Sequence, residues 1–461
     1  MGRARNRGPR TRDEVRLEID GLGHDGEGIG RIDGKVAFVA GALPGETVDA
    51  VLRQRHRRYD EYRLIDVVTA APDRTAPRCP LVGKCGGCDL QHLAADAQLR
   101  HKTDVVLELL RRQARLVPDQ LVPPLRSAPF GYRSRARLAA SVPRRGGRPR
   151  LGFREAGGNR VVTLDSCPVL APPLRSLPAL LQEALDALDR PADLGHVELS
   201  LAESPDGTLD PVIHLHLVVP LTEHDLAVLG AVAVSRGAYL SLRLRGHELA
   251  YLHRPRAEAP AYLLPEFDLR IGYEPGDFLQ GNAAVNRRLV GRVAEWLDDR
   301  RGGRLLDAFA GVGNFSLALA RRGFDVLGLE VVGEMVTRAR SNALANGAHK
   351  ASFAVRDLQG TPRPLGREAF GAAVLDPPRS GAHALALELA ALGTPIILYV
   401  SCWPPTLARD AAVLAAAGYR LARLSLVDMF PQTSHIEVLT LFTRPRAQGR
   451  RGGSTSAADT R

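Results

Sequence analysis

The chain has 461 residues, 45% of them apolar, and a formal net charge of +11. This length predicts two or three domains with sizeable cores. Arginine carries nearly all of the positive charge. That favours a nucleic-acid partner, because guanidinium groups bind phosphates and stack on bases, although a GC-rich genome would also enrich arginine. No apolar run approaches the roughly 18 residues of a membrane-spanning helix, and the basic start lacks the apolar segment of a signal peptide. We therefore expect a cytoplasmic protein without a membrane partner.

The two ends of the chain, residues 1–12 and 446–461, are rich in arginine, glycine and small residues without periodicity, which predicts disordered tails. Residues 13–70 alternate apolar and polar positions between glycine-rich turns, as short strands do. They predict a small OB-type β-barrel that binds single-stranded nucleic acid, or a barrel without a specific role. The basic positions of this barrel are Arg53, Arg55, Arg57 and Arg58.

The rest of the chain divides into a central and a C-terminal region. Residues 93–119 have apolar positions at helical spacing and predict one helix. Residues 71–92 and 120–268 mix short strands and helices and predict an α+β central domain. From residue 269 to residue 445, strands and helices alternate, which predicts a Rossmann-like, doubly wound parallel sheet. The expected fold class is therefore a multidomain α/β protein.

Five cysteines are present, and their odd number in a reducing compartment argues against a disulfide framework. Cys79, Cys85 and Cys88 lie within ten positions of one another, which indicates a metal site, and Cys167 offers a fourth thiol. Zinc accepts four thiolates, but this spacing is not a usual zinc pattern. An iron–sulfur cluster and zinc both remain open from the residues alone.

The segment LLDAFAGVGNFSLALA reads as a strand, a glycine turn and a helix. Gly311 and Gly313 let the backbone approach a ligand closely. Glu330 ends the next strand, where an acid can bind both hydroxyls of a ribose. The turn is not G-x-G-x-x-G, which disfavours a dinucleotide, whereas D-x-F-x-G-x-G followed by such an acid is typical of S-adenosylmethionine sites. Asp357, after the third strand, is a candidate for the adenine amino group.

Two further residues follow neighbouring strands of this sheet. Asp376 ends the fourth strand in LDPPR, and Cys402 ends the fifth, so both should lie at the ligand-binding edge. A lone cysteine is more often a buried apolar residue, but a place beside a methyl-donor pocket favours a nucleophile. A thiolate that adds to C6 of uracil makes C5 nucleophilic, and a base must then remove the C5 proton. Glu437 is the candidate base, and His435 is the next choice.

Together these segments resemble the RNA uracil-5-methyltransferase family, in the bacterial branch that has an N-terminal TRAM domain and an iron–sulfur cluster. The resemblance spans about residues 14–443. The segments that carry it are DGEGIGR, GKVAFVAGALPGE, CPLVGKCGGCDLQH, YRSRARL, DSCP, FLQGN, LLDAFAGVGNFSLALA, VLDPPRSGA, YVSCWPPTLARD and FPQTSHIE.

The resemblance implies roles for particular residues. Cys402 would be the nucleophile and Glu437 the base. The residues implied to contact S-adenosylmethionine are Gln280, Phe309, Asn314, Glu330, Asp357 and Asp376. The implied ligands of a [4Fe–4S] cluster are Cys79, Cys85, Cys88 and Cys167. The implied RNA-contacting strand contains Tyr132, Arg133 and Arg135. The family also implies that the helix over 93–119 packs on the catalytic domain.

The sequence departs from the family at two positions. Trp403 stands where asparagine commonly follows the nucleophile, and its bulk could reshape the target-base pocket. Ala310 replaces a cysteine that is frequent in the glycine turn, which leaves Cys402 as the only thiol of the catalytic domain. Because the transfer-RNA branch is expected to lack both the TRAM domain and the cluster, we expect 23S rRNA as the substrate and a monomer as the acting form.

Other functions are compatible with parts of the pattern. A transfer-RNA uracil-5-methyltransferase would use the same site, a nitrogen methyltransferase would need no nucleophilic cysteine, and an inactive RNA-binding or ribosome-assembly protein would need no catalysis. A radical enzyme is disfavoured because the sequence has no C-x3-C-x2-C loop. A DNA cytosine methyltransferase is disfavoured because no cysteine follows a proline on the fourth strand.

Overall fold

The computed structural model describes residues 13–142, 147–191, 194–298, 302–359, 365–366 and 369–444. Both predicted tails lie outside these residues. None of the helices in the described ranges has the length and apolar character needed to cross a membrane. The described chain forms an N-terminal barrel, a central sheet and a C-terminal sheet.

The first five strands close into a barrel in the order β1-β2-β3-β5-β4, as the alternating pattern predicts. The inward positions, among them Leu17, Val39 and Val48, are almost fully buried. Gly30 is required where β1 crosses β2, because a Cβ there would lie 2.4 Å from the Glu18 carbonyl oxygen. The strands are β1 (Glu14–Leu22), β2 (Glu27–Ile32), β3 (Lys35–Ala40), β4 (Thr47–Arg55) and β5 (Tyr59–Thr69).

The central region forms a seven-stranded sheet in the order β13-β12-β11-β10-β7-β8-β9, with a separate two-stranded sheet of β14 and β15. Alternation along β10 and β11 buries Val197, Leu199 and Ile213 against α2 and α3, and turns the polar residues to the opposite face. The strands of this region are β7 (Arg135–Ser141), β8 (Arg150–Arg154), β9 (Val161–Thr163), β10 (Leu194–Glu203), β11 (Leu209–Leu217), β12 (Tyr239–Leu244), β13 (Leu249–His253), β14 (Ala261–Leu264) and β15 (Leu269–Gly272). Its helices are α2 (Leu177–Asp186) and α3 (Glu223–Arg236).

The C-terminal region is an eight-stranded sheet in the order β18-β17-β16-β19-β20-β22-β21-β6. The first five of these strands are parallel, and β22 runs antiparallel to both β20 and β21. Apolar clusters cover both faces, which confirms the doubly wound fold. The strands are β6 (Gln120–Leu125), β16 (Arg304–Ala308), β17 (Asp325–Glu330), β18 (Ala351–Val355), β19 (Ala372–Leu375), β20 (Ile396–Ser401), β21 (Arg420–Val427) and β22 (Glu437–Thr443). The helices are α4 (Ala283–Leu297), α5 (Asn314–Arg321), α6 (Gly333–Ala345), α7 (His383–Leu392) and α8 (Pro404–Ala416).

One predicted boundary differs from the structure. The sequence predicts that residues from 120 onward belong to the central domain. In the structure, β6 instead pairs in parallel with β21 at the edge of the C-terminal sheet. Its sequence, QLVPPL, contains two prolines, which cannot donate to a ladder and are tolerated only on edge strands. The pairing partner lies far along the chain, so the local pattern could not reveal it.

The helix expected over 93–119 is shorter in the structure. Helix α1 spans Ala95–Leu109, continues as a π-helical turn over Leu110–Ala114, and ends at Arg115, whose φ is 55°. Its apolar face, with Leu99 and Val106, lies in the same buried cluster as strands and helices of the C-terminal sheet. The helix therefore sits against the C-terminal domain.

Candidate active site

A strained turn follows β16 and forms the floor of the site. Phe309 has a φ of 67°, a conformation that is uncommon outside glycine and that persists where the surroundings impose it. Gly311 and Gly313 have φ angles of 58° and 100°, and α5 begins at Asn314. The turn therefore presents main chain rather than side chains to the space above β16.

The carboxylate of Glu330, at the end of β17, is held by backbone donors. Its Oε2 accepts from the Gly311 N–H at 3.1 Å, and its Oε1 accepts from the N–H groups of Val331 and Val332 at 2.8 and 3.1 Å. These contacts fix the acid at the rim of the turn. It can bind ribose hydroxyls there without first losing side-chain freedom.

The polar residues around the turn also hold one another. Asn314 exchanges two side-chain hydrogen bonds with Asn286, at 2.9 and 3.0 Å, and accepts a third from the Tyr262 hydroxyl at 3.0 Å. The Gln280 amide donates to Asp376 at 3.2 Å. These hydrogen bonds therefore fix the positions of the side chains around the turn.

A single cleft of about 1050 Å³ contains all the residues expected to bind the methyl donor or to react. It lies between the central sheet and the carboxyl edge of the C-terminal sheet. The eight expected residues that line it are Gln280, Phe309, Asn314, Glu330, Asp357, Asp376, Cys402 and Glu437. The structure thus brings together residues that are far apart in the sequence.

Strand pairing explains why Cys402 and Glu437 are neighbours. Ser401 of β20 is paired with Val438 of the antiparallel strand β22. Cys402 directly follows the end of β20, and Glu437 is the first residue of β22, so the two lie just beyond this last pair. Both side chains line the cleft.

Acidic groups in the cleft are poorly solvated. Burial, and then the charge of nearby Asp307, raises the pKa of Asp376 to about 7. Burial, and then the charge of Asp376, raises the pKa of Glu437 to about 8. The Glu437 Oε2 atom is buried and has no hydrogen-bond partner among the described residues. A carboxyl group with such a pKa can exchange a proton near neutral pH.

The thiol of Cys402 is affected in the same direction. Burial, and then the charges of Glu437 and Asp376, raises its pKa to about 11, while Arg379 opposes the rise. Near neutral pH this group is therefore a thiol.

Arg379, in the LDPPR segment, contacts two other residues near the cleft, which the sequence did not indicate. Its Nη2 lies 3.2 Å from His435 Nδ1, and its guanidinium lies 5.2 Å from the centre of the Trp403 ring. Desolvation and then Arg379 lower the pKa of His435, so this imidazole is neutral. Trp403 does not belong to the cleft lining in the described part of the chain. Its ring lies against Arg379, which does line the cleft.

Lys102 and Asp428 form a buried ion pair near Glu437 that sequence reasoning missed. The Nζ–Oδ1 distance is 2.8 Å, and the two side chains are 1% and 9% exposed. Lys102 lies on α1 between Leu99 and Val106, on the apolar side of the helix. A lysine on an apolar stripe was the signal that could have identified it.

The four remaining cysteines line one small cavity beside the cleft. Three of them are in the segment 79–92, here called the cysteine loop, and Cys167 comes from the central domain. Burial raises the pKa values of Cys85, Cys88 and Cys167, that of Cys88 to about 12. Arg133 lines both this cavity and the cleft. The cavity therefore lies next to the reaction site although its residues belong to another domain.

The basic strand expected to contact RNA is only partly exposed. Tyr132 is 8% exposed, and its hydroxyl donates to the Pro431 carbonyl at 2.9 Å. Its side chain is therefore a structural contact rather than part of an RNA surface. Arg133 and Arg135 line the cleft, as does the exposed Arg137 of β7. The barrel arginines 53, 55, 57 and 58 are all exposed.

The same sheet face carries His196, Glu198 and His216, whose ligand atoms lie within 4.8 Å of one another. Burial opposes ionisation of Glu198, but hydrogen bonds from the two histidines and the charge of Arg135 lower its pKa. Arg135 lies 3.1 Å from Glu198, and Arg137 Nη2 lies 3.3 Å from His196 Nδ1. Arg135 therefore already neutralises the Glu198 carboxylate, whereas the Nε2 atoms of both histidines have no hydrogen-bond partner of ordinary length among the described residues.

Comparison with known proteins agrees with this geometry. The family model for tRNA (uracil-5-)-methyltransferases matches residues 268–445, and the TRAM-domain model matches residues 10–59. The 23S rRNA (uracil(1939)-C(5))-methyltransferase RlmD of Alkalilimnicola ehrlichii is 41% identical over 450 residues, which cover 96% of this chain and 99% of that protein. The RlmD protein of Halomonas elongata is 42% identical over 455 residues, or 95% of this chain and 92% of that protein.

A solved structure resembles nearly the whole chain. The tRNA (uracil-54, C5)-methyltransferase of Pyrococcus abyssi, in complex with S-adenosyl-L-homocysteine, is 26% identical. The match covers 93% of this chain and 100% of that one, with a TM-score of 0.67. Membership of one family explains the N-terminal barrel, the strained turn after β16 and the thiol and carboxylate that line the cleft. This chain belongs to the RNA uracil-C5-methyltransferase family and is an S-adenosylmethionine-dependent RNA methyltransferase.

Proposed function

We propose that this enzyme methylates C5 of a uridine in 23S rRNA through a covalent bond between Cys402 and C6 of the base. The observation that carries the proposal is the meeting of Cys402 and Glu437 across β20 and β22, in the cleft that also contains the strained turn. The expected contacts with the methyl donor are Gln280, Phe309, Asn314, Glu330, Asp357 and Asp376, all of which line that cleft.

The nucleophile acts first. The Cys402 thiol loses its proton to solvent, and the thiolate forms a bond to C6 of uracil while the C5–C6 π electrons move toward O4, which leaves an enolate that makes C5 nucleophilic. S-adenosylmethionine would supply the electrophilic methyl group that C5 takes up, and its sulfur would leave as the neutral thioether of S-adenosylhomocysteine. The product of this step is a saturated base bonded both to Cys402 and to the new methyl group, with the original proton still on C5.

The base then completes the reaction. Glu437 removes the C5 proton, the C5–C6 double bond re-forms, and the Cys402 thiolate leaves. A carboxylate whose pKa burial raises to about 8 is a stronger base than an ordinary glutamate. The target uracil has to leave its stack for C6 to reach a thiol inside the cleft, so base flipping is part of binding.

Overall identity favours a ribosomal RNA substrate. The relatives named for 23S rRNA are about two-fifths identical over nearly their full lengths. The expectation that domain content alone separates the two substrate branches is wrong, because the archaeal tRNA enzyme matches 93% of this chain. We infer that ribosomal RNA places the enzyme in the cytoplasm. A single chain supplies every group in the proposed mechanism, so we propose a monomer.

We further infer that the four cysteines of the small cavity bind a [4Fe–4S] cluster. They share one buried site in which a cationic centre would stabilise the thiolates that burial disfavours. A zinc ion holds sulfurs at about 2.3 Å, so its four thiolates lie roughly 3.8 Å apart. Among the described residues, no three cysteine sulfurs lie mutually within 4.8 Å. This wider spacing favours a cluster over a single ion.

Cys402→Ala should abolish methylation but leave S-adenosylmethionine binding unchanged, because other residues form the donor site. Glu437→Gln should still allow attack and methyl transfer but stall proton removal. A methylated RNA–protein adduct should then accumulate as a shifted band on a denaturing gel. The double variant should show no adduct. Full activity of Cys402→Ala would instead favour methylation of a nitrogen.

The rate should depend on pH through Glu437 and Cys402. Both pKa values are raised, so the ionised forms that react become more abundant as pH increases. We expect the single-turnover rate to rise between about pH 6 and 9. Ionic strength must be held constant, because RNA binding depends on salt. A rate that is flat or falls over this interval would contradict the assignment of a raised-pKa carboxylate as the base.

Arg137→Ala should weaken RNA binding and reduce its salt dependence. Each lost phosphate contact should lower the slope of log K against log salt by about 0.7 to 0.9. Arg236→Ala, which removes one exposed charge at the end of α3, is the matched control and should leave the slope unchanged. Equal slopes for the two variants would exclude Arg137 from the RNA interface.

Protein purified without oxygen should be brown and contain about four iron atoms per chain. Cys167→Ser should lose iron and visible absorbance, whereas Cys402→Ala should retain both, because Cys402 lies outside the small cavity. Elemental analysis decides the matter. Stoichiometric zinc without iron would contradict the cluster.

A further inference from the structure

The segment between β21 and β22, residues 428–436 and here called the catalytic loop, ends directly before Glu437. Val427 and Glu437 are paired across the two strands, so the loop closes on the ladder position that carries the proposed base. A displacement of this loop would therefore move Glu437. Many of the polar contacts that hold the loop come from residues far earlier in the chain.

Helix α1 supplies two buried anchors. The Gln98 side chain is 1% exposed, accepts from the Gln432 N–H at 2.9 Å and donates to the Gln432 side-chain oxygen at 3.2 Å. Lys102 Nζ lies 2.8 Å from Asp428 Oδ1 and donates to the Phe430 carbonyl at 3.2 Å. Buried polar networks whose groups are satisfied in this way fix a single geometry.

The cysteine loop supplies the other anchors. The N–H groups of Asp89 and Leu90 donate to the Gln432 carbonyl at 3.2 and 3.0 Å. The Asp89 carboxylate accepts from both the N–H and the hydroxyl of Ser434, each at 2.6 Å. Gln98 connects the two loops, because its amide also donates to the Leu90 carbonyl at 3.0 Å. Asp89 directly follows Cys88, so the cysteine loop that lines the small cavity also holds the catalytic loop.

The conformation of Gln432 shows that these contacts impose a shape. Its φ is 70°, in the left-handed region that residues other than glycine seldom adopt, and it is 5% exposed. Such a conformation persists only where the surroundings over-determine it. Gln98, Asp89 and Leu90 all form hydrogen bonds with Gln432. Asp89 also accepts two hydrogen bonds from Ser434, two residues further along the chain.

We propose that Gln98 and Asp89 are positioning residues for proton removal from C5, so that the cysteine loop and α1 together hold Glu437 in its working place. The proposal rests on the proposed role of Glu437 as the base. It gives the cysteine-bearing part of the chain a function in the chemical reaction. The step affected is the decay of the methylated adduct, not its formation.

Two variants test this in the full-length enzyme. Gln98→Met removes the amide at nearly constant length, and Asp89→Ala removes the two hydrogen bonds to Ser434 at an exposed position. Both should slow decay of the methylated adduct by about ten- to a hundredfold, the order of loss for a displacement of about 1 Å. Adduct formation and S-adenosylmethionine affinity should be unchanged. Amides of residues 428–436 should exchange hydrogen faster.

Asp73→Ala is the matched control, because it removes an exposed ion pair with Arg100 of α1 that does not touch the catalytic loop. It should decay and exchange like the parent. If Gln98→Met and Asp89→Ala also decay like the parent while Glu437→Gln still traps the adduct, the positioning proposal is overturned and the base assignment stands. If Glu437→Gln traps no adduct, the proposed mechanism fails first. Slow decay in Asp73→Ala as well would reveal a general loss of stability and overturn the proposal too.

Discussion

The site depends on the reversed direction of β22. In a sheet of parallel strands, only carboxyl ends reach the ligand-binding edge, and β16, β17, β19 and β20 bring Phe309, Glu330, Asp376 and Cys402 there in this way. Because β22 is antiparallel to β20, its amino end reaches the same edge and places Glu437 beside Cys402. A parallel final strand would put this glutamate at the opposite edge of the sheet. The thiol and the carboxylate are therefore adjacent because of the topology, not because of any nearness in sequence.

This arrangement places several carboxyl groups in and beside a poorly solvated cleft. Asp307, Asp376 and Glu437 each have a pKa raised first by burial and then by another acid. An opposite charge within a few ångströms reverses such a shift, and a sulfonium group carries that charge. The cleft is thus electrostatically complementary to the methyl donor. It is also suited to a reaction in which a proton must be taken up from carbon.

Contacts from outside the C-terminal sheet stabilise the region around this cleft. The Lys102–Asp428 pair is buried, and removing one partner of such a pair typically costs about 3 to 5 kcal/mol because the other charge is left unpaired. Strand β6 adds an edge to the same sheet from a segment that precedes the central domain. The C-terminal domain therefore does not contain its own site completely, since α1 and the cysteine loop complete it.

Features that depend on residues close together in the chain could be predicted from the sequence, whereas features that depend on distant residues could not. The strand, turn and helix around Gly311 and the acid Glu330 follow from patterns within a few dozen residues, and the structure places both where expected. The burial of Tyr132, the pairing of β6 and the partner of Lys102 each depend on residues hundreds of positions away. Lys102 could have been suspected from its place on an apolar stripe, but nothing local pointed to Asp428.

The choice of RNA substrate does not follow from local sequence patterns either. The overall architecture does not distinguish one RNA substrate from another, because an archaeal enzyme named for tRNA shares it. Contacts between arginine and phosphate position an RNA without reading its sequence. Arg53 of the barrel lies beside Gly157, and Gly157 lines the same cleft as Arg137, so basic side chains of two domains meet at one cleft. Phosphate contacts along such a surface would select an RNA by the shape of its backbone rather than by its base sequence.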